Sequence, residues 1–339
     1  MKRIDCETSI EVGGSDLRLQ IAPERVPLER ISRTNAVEFA REYLTGTGRP
    51  VVVTDAMDCW PAKTLWSFDY LAERAGDHRV LAMDDLARPS VIQALSLREY
   101  ASYCTQPFFS RLAEIENEKP FYISHPLIKH PELLDEISQP DFINNYYLQL
   151  SGEMLSWYHE VFGWIYIGPA KTVTALHVDH YMTHTWSAQV VGRKRFLLFS
   201  PEDLASIPDP AVRAHLMSDV FNCQPPAPNP LRNPVAYEAV VEPGEMVVFP
   251  AGWGHHVVAL EPSISVSYNF VTESNFIPHV MMISRKLPQW ARKINSARFR
   301  NNNEPSWELD GRAFRSKNND LVCRPPSAMT KEMHGTQTQ

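Results

Sequence analysis

The pattern of apolar and polar positions divides the chain into stretches of different character. Its first 30 or so residues show no strong period and predict only an edge strand or an extended arm. From Thr34 the spacing turns helical, with Val37, Ala40, Tyr43 and Leu44 on one face, Thr34 or Asn35 placed to cap the start and Gly46 to end it. The compact β-branched run RPVVVTDA, residues 49–56, predicts a buried strand, and LWSFDYLAERA, residues 65–75, a short helix. From Val91 to about Ile143 the pattern predicts helix or irregular chain, broken by Pro107, Pro120, Pro126, Pro131 and Pro140.

After about Tyr146 the character changes. Residues 164–199 and 240–271 are rich in Val, Ile, Thr, Tyr and Phe, in short pieces divided by Gly and Pro, as in an antiparallel sandwich or barrel. Between them QPPAPNPLRNP, residues 224–234, excludes helix and central strand and predicts a semi-rigid extended loop, an ordinary surface insertion or a wall of a substrate pocket. Beyond Phe276 the chain is helical again, then basic through Arg285, Lys286, Arg292, Lys293, Arg298 and Arg300, and from about Lys317 polar. The organisation expected is an arm (1–34), a main domain (35–275), a helical extension (276–316) and a disordered tail (317–339).

Composition narrows the function classes. An apolar fraction of 44% and a charged fraction of 22% are those of a globular protein, and a formal net charge of -7 makes nucleic acid a poor partner. No apolar run reaches the roughly 18 to 20 residues that cross a bilayer, so no membrane is expected. The start, MKRIDCETSIEVGGSD, lacks the apolar stretch of a secretory signal. Five scattered cysteines, without C-x-x-C spacing, predict a reducing, cytoplasmic setting rather than a disulfide scaffold.

Candidate chemistry begins at KTVTALHVDH. On a strand His177 and Asp179 point the same way and Val178 oppositely, so the pair can reach one metal. FPAGWGHHVVAL offers a third ligand, His255 or His256. Two imidazoles and one carboxylate on one face of an octahedral ion leave three open positions, the donor set of a non-haem iron(II) oxygenase. An H-x-D triplet alone is common by chance; its neighbours carry the argument. Lys194 shares a strand face with Phe196 and Leu198, where a lysine either snorkels at a rim or binds an anion inside. In SISVSYNFV, Ser263, Ser265, Ser267 and Asn269 share one face: either a polar lining that leaves room for a co-substrate, or a solvated outer face.

Four ordered motifs resemble the JmjC and cupin-like hydroxylase family: T-x-x-H-x-D at Thr174–Asp179, the G-x-K-R-F block within Gln189–Pro201, the P-G-E and W-x-H block within Pro243–Val257, and S-I-S-V-S at Ser263–Ser267. The run at residues 49–71 is similar to the family's opening strand and helix, so the likeness covers roughly residues 35–275. It implies a mainly β double-stranded β-helix, a jelly-roll barrel with flanking helices. By position it implies His177, Asp179 and His255 as iron ligands, His255 rather than His256 because it falls five residues after Pro250. It implies Lys194, with Thr174 and Tyr122, around the distal carboxylate of 2-oxoglutarate; Ser267 and Asn269 are further co-substrate candidates. Thr174 meets this only if a bulge intervenes, since it lies three residues before His177. Thr183 or Thr185 stands where the family has an asparagine, and Ser267 replaces another.

The implied activity is an iron(II)- and 2-oxoglutarate-dependent dioxygenase that uses O2 to hydroxylate an unactivated C–H bond of a protein side chain or a small metabolite, releasing succinate and CO2. Asp179 favours hydroxylation over halogenation, and the absence of reader modules in the chain favours it over lysine demethylation. A non-oxygenase metal-binding cupin, an isomerase or binding module, is the alternative from another class. In relatives, helices after the barrel often form a homodimer contact, and residues 276–316 suit either that or packing on the chain's own barrel.

Overall fold

The structure, a computed structural model, describes residues 9–13, 16–20, 23–86, 89–106, 119–150, 152–217 and 233–290. The loop expected at 224–234, save its last two residues, the basic run beyond 290 and the tail at 317–339 lie outside them.

Among the described residues, sixteen short strands and a set of helices form along the chain. Strands β1 (Ser9–Glu11) and β2 (Arg18–Gln20) make a small hairpin. Next come β3 (Glu24–Pro27), β4 (Glu29–Ile31) and β5 (Val51–Val53), the last a fully buried run of three valines. A second hairpin joins β6 (Arg79–Met83) to β7 (Ile92–Ser96), and β8 (Ile123–Pro126) comes after it. The remaining strands are β9 (Gly163–Gly168), β10 (Val173–Val178), β11 (His184–Val191), β12 (Lys194–Phe199), β13 (Val235–Val241), β14 (Met246–Phe249), β15 (Gly254–Ala259) and β16 (Ser263–Phe270).

Two sheets carry the fold. One has the order β10-β15-β12-β13-β3, the other β4-β5-β14-β11-β16-β9-β8, and all pairings among β8 to β16 are antiparallel. From β9 to β12, and again from β13 to β16, successive strands alternate between the sheets, so β11 and β12 lie in different sheets although only Gly192 and Arg193 separate them. Gly192 makes that crossing with φ +68°, where a Cβ would stand 2.2 Å from the Pro262 carbonyl oxygen. The sheets face each other through Val52, Val247 and Phe249 on one side and Phe196, Leu198 and Val257 on the other. This is the jelly-roll expected, as two facing sheets rather than a continuously hydrogen-bonded barrel.

The outer face of the seven-stranded sheet, through Trp186, Ala188, Ile264, Val266, Tyr268 and Phe270, joins the largest core, built with the helices Phe68–Arg74, Leu97–Thr105 and Glu153–Phe162. That settles the choice left open for β16: its apolar face is covered by helices, so Ser263, Ser265, Ser267 and Asn269 face the other sheet. The helix Phe276–Lys286 packs Phe276, Val280 and Ile283 into the same core, continuous with the domain rather than appended to it, and turns Ile277 and Met281 outward.

Several local expectations shift. The helix capped by Asn35 runs only over Ala36–Phe39 before widening to a π turn at Ala40–Leu44; Val37 is therefore 77% exposed, and Phe39 takes its place against the core. The helix expected at 65–75 is two pieces, Ala62–Leu65 and Phe68–Arg74, the second capped by Ser67. The stretch 91–143, read as helical or irregular, contains β7 and β8. Cys104 is a buried free thiol and Cys59 is disulfide-bonded, a pairing that the spacing of the cysteines along the chain does not report.

Candidate active site

At the end of β10 the strand breaks register between Thr174 and His177: two residues of β15 separate their partners, Val257 and His255, where three would continue the ladder. This is the bulge that the Thr174 position required. It leaves His177 directly opposite His255 on β15, their ring centroids 4.1 Å apart. Asp179 follows where β10 ends, and Tyr181 and Met182 just after it both have positive φ, 64° and 53°. Two residues outside the barrel strands brace that turn. Asn275 Nδ2 donates to the Met182 carbonyl at 2.8 Å, and buried His279 bonds the Tyr181 carbonyl through Nδ1 at 2.6 Å and the Tyr147 hydroxyl through Nε2 at 2.7 Å.

Asp179 Oδ1 lies 3.5 Å from His177 Nε2 and 3.9 Å from His255 Nε2. Its other oxygen is held by neighbours on the seven-stranded sheet: the Thr185 hydroxyl donates to Oδ2 at 2.5 Å and Asn269 Nδ2 at 2.8 Å. Asn269 Nδ2 also lies 2.9 Å from the hydroxyl oxygens of Thr183 and Thr185, its amide thus committed to the carboxylate's surroundings. One carboxylate oxygen is anchored, and the other is aimed at the imidazoles.

The donor atoms suit a divalent ion. His177 Nδ1 sits 2.9 Å from the Ala175 carbonyl, which assigns the proton to Nδ1 and the lone pair to Nε2. Burial, reinforced by His177, pushes His255 down to about 3, so it stays neutral. Burial alone would raise the Asp179 carboxyl, but the His255 and His177 imidazoles and the Thr185 hydroxyl outweigh it and hold the group below the usual carboxylate range. Burial would lower His177 too, yet the adjacent Asp179 carboxylate raises it. One ligand atom from each residue falls within 4.8 Å of the others, the spacing of a set that closes around one ion. Side-chain exposure falls from 35% at His177 through 21% at Asp179 to 8% at His255, so the group opens on the His177 side. His256, next along β15, points to the opposite face.

The same interior holds Lys194, 3% exposed at the start of β12. Its ammonium donates to the Tyr122 hydroxyl at 3.0 Å and to Ser265 Oγ at 2.6 Å, and lies 5.6 Å from the centre of the Tyr166 ring. Thr174 hydrogen-bonds Tyr122 from the β10 side of the bulge. No ion pair involving Lys194 occurs among the described residues, and burial alone pushes its ammonium down to about 7. On the same strand faces as Ser265 and its β11 partner, Ser263 Oγ and Gln189 Oε1 are buried without a hydrogen-bond partner. A buried lysine without an ion pair, among hydroxyls and unsatisfied polar atoms, suits an anionic ligand.

The candidate residues therefore separate into two groups. His177, Asp179, His255 and Asn269 form one, Lys194, Thr174 and Tyr122 the other. Ser267 belongs to neither by hydrogen bonding, its hydroxyl donating to the Trp186 carbonyl at 2.9 Å. Ser265, Tyr166, Thr185 and His279 were missed as site residues. Alternation places Tyr166 on the inner face of β9, and Ser265 belongs to the polar row already noticed; the role of His279 depends on a contact 98 residues away.

Comparison with known proteins gives the chain's family. The cupin-like domain profile matches residues 36–276. The lysine-specific demethylase JMJ21 of Arabidopsis thaliana is 28% identical over 263 residues, 74% of this chain and 26% of that protein. The 2-oxoglutarate and iron-dependent oxygenase JMJD4 of Gallus gallus is 26% identical over 287 residues, 79% and 65% of the two chains. The bifunctional arginine demethylase and lysyl-hydroxylase psr-1 of Caenorhabditis elegans is 24% identical over 282 residues, 78% and 66%. The matched part spans between about a quarter and two-thirds of these relatives.

Proposed function

The chain belongs to the cupin-like domain family, and on that premise we propose that it is an iron(II)- and 2-oxoglutarate-dependent oxygenase that hydroxylates a C–H bond of a protein side chain or small metabolite. The observation that carries this reading is the pairing, inside one jelly-roll, of the His177–Asp179–His255 triad with a buried lysine that has no carboxylate partner among the described residues. A cupin that only stored a metal, or an isomerase, has no need of that lysine.

His177, Asp179 and His255 would hold the iron and leave open positions for co-substrate and O2. Iron with 2-oxoglutarate would supply the oxidising power, through decarboxylation to succinate and CO2. Lys194 anchors the far carboxylate of the diacid, with Tyr122 and Ser265 holding the ammonium in place. Thr185 and Asn269 keep Asp179 ionised and oriented. The facing apolar residues Phe196, Leu198 and Val257 exclude water around these groups, which protects a reactive oxidant from side reactions. Demethylation of an N-methyl group, the activity in the names of several relatives, starts with hydroxylation of a methyl carbon and so uses the same site.

Succinate release from 2-oxoglutarate by the iron-loaded protein, in a screen of peptides and metabolites read by mass spectrometry, tests the proposal. A gain of about 16 Da on one acceptor, from insertion of one oxygen atom, is expected together with succinate. Failure of any acceptor to raise succinate above the Asp179→Ala background would refute it.

A further inference from the structure

A second group of metal-ligating side chains lies on the other face of the seven-stranded sheet. His78 stands between the helix Phe68–Arg74 and β6; His130 and Glu132 stand after β8, at the short helix Pro131–Leu134. Ser124 on β8 hydrogen-bonds Tyr166 in the interior, so its neighbour His125, and His130 with it, face outward. His78 Nε2 lies 3.1 Å and His130 Nδ1 3.9 Å from Glu132 Oε1, and one ligand atom from each residue falls within 4.8 Å of the others.

Two of these atoms are unsatisfied. His130 is 2% exposed, and both its Nδ1 and Glu132 Oε1 are buried without a hydrogen-bond partner. At 3.9 Å they are beyond hydrogen-bonding reach of each other; leaving His130 Nδ1 unpaired costs about 1–3 kcal/mol, while Glu132 Oε1 has the His78 imidazole 3.1 Å away but outside hydrogen-bond geometry. The other ring nitrogen of His130 is occupied: Nε2 lies 2.9 Å from His125 Nδ1. A proton there leaves the Nδ1 lone pair facing Glu132, the tautomer that an outer partner imposes on a metal-binding histidine. With His78 Nε2 also unprotonated, two imidazole lone pairs and a carboxylate oxygen would converge within 4.8 Å of one another, an arrangement that a cation between them satisfies.

We propose that His78, His130 and Glu132 bind a second divalent transition metal of the zinc class, pinning the turn before β6 to the turn after β8. Two imidazoles select against magnesium and calcium, and a carboxylate with two imidazoles is a common zinc donor set. Bonds of about 2.0–2.1 Å place tetrahedral donors about 3.3 Å apart, so the 3.1 Å His78–Glu132 separation is near that spacing and the 3.9 Å His130–Glu132 separation has to close on binding. The side chain of His78 is 38% exposed, which opens the site to solvent on that side and leaves a water as fourth ligand. The role is structural: among the described residues the neighbouring titratable side chain, His125, is committed to His130 Nε2.

The test needs the first site silenced. The full-length His177→Ala/Asp179→Ala protein is stripped with chelator, reloaded with zinc or cobalt(II), desalted and assayed by elemental mass spectrometry. One equivalent of metal is expected, with the visible bands of low-coordinate cobalt and a raised Tm. Adding His78→Ala or Glu132→Gln should weaken binding at least about tenfold and cancel the Tm rise, while circular dichroism reports an unchanged fold. Two results overturn the proposal: no metal retained in the silenced protein, which leaves a bound water only, or one equivalent that survives both His78→Ala and Glu132→Gln.

Discussion

Asp179 shows how one residue's role is divided among its neighbours. Its Oδ2 is tied by Thr185 and Asn269, so Oδ1 alone is presented to the two imidazoles. Replacing His177, Asp179 or His255 with Ala should abolish tight iron binding, and His256→Ala should retain most of it; equilibrium dialysis distinguishes the two outcomes. Asn269→Ala touches no ligand atom yet should weaken iron about 10–100-fold, as removal of outer partners does. Wild-type affinity in that variant would reassign the amide to another task. The H-x-D pair was legible in the sequence because strand alternation aims His177 and Asp179 the same way; alternation left His255 and His256 both open, and the family's spacing after Pro250 picked His255. The work of Asn269 was not legible, since it depends on the register that sets Thr185 opposite it on β11.

Lys194 carries a pH dependence whose sign can be worked out. Burial lowers its pKa to about 7, so above neutrality the free site holds a neutral amine. A carboxylate ligand needs the ammonium, so 2-oxoglutarate binding should take up a proton above pH 7 and weaken as pH rises, by up to about tenfold per unit. Calorimetry at pH 8 in buffers of different ionisation enthalpy reads that uptake directly; identical heats in all buffers would exclude it. For the ligand-free fold the linkage runs the other way. The unfolded chain keeps this proton to about pH 10.5 while the folded one has lost it by about 7, so this group's contribution to stability improves with rising pH across that window.

At the scale of elements, β9 to β12 and β14 to β16 were legible because Val, Ile, Thr and aromatics crowd into short pieces between Gly and Pro over 164–199 and 240–271; most of β13 precedes the second stretch. Strand β8 was hidden: it is four residues long, ends in Pro126 and lies at a sheet edge, where proline is tolerated. The helix at residue 36 was legible by its Asn35 cap, but its buried face was not, because the π turn at Ala40–Leu44 shifts the helical phase of those five residues. The helix Phe276–Lys286 acts on the site through His279. His279→Leu removes the hydrogen bonds to the Tyr181 carbonyl and the Tyr147 hydroxyl, at a cost of about 1–3 kcal/mol, and should loosen the Asp179 turn. Thermal melting and iron affinity should fall together; a lower Tm with unchanged iron affinity would confine the helix to packing.

For the whole molecule, the two sheets divide the labour. The five-stranded sheet brings His177, His255 and Lys194; the seven-stranded sheet brings Asn269, Thr185 and Ser265, which position the Asp179 carboxylate and the lysine. Neither sheet alone holds a complete site, so metal and diacid binding report on the assembled jelly-roll. The most direct test is anaerobic calorimetric titration of 2-oxoglutarate into the full-length protein with and without iron(II). Binding should require iron. In Asp179→Ala it should be lost with the metal. In Lys194→Ala it should weaken by roughly 3–5 kcal/mol, more than a hundredfold, while iron stays bound. Binding indifferent to iron, or unchanged by Lys194→Ala, would contradict the account.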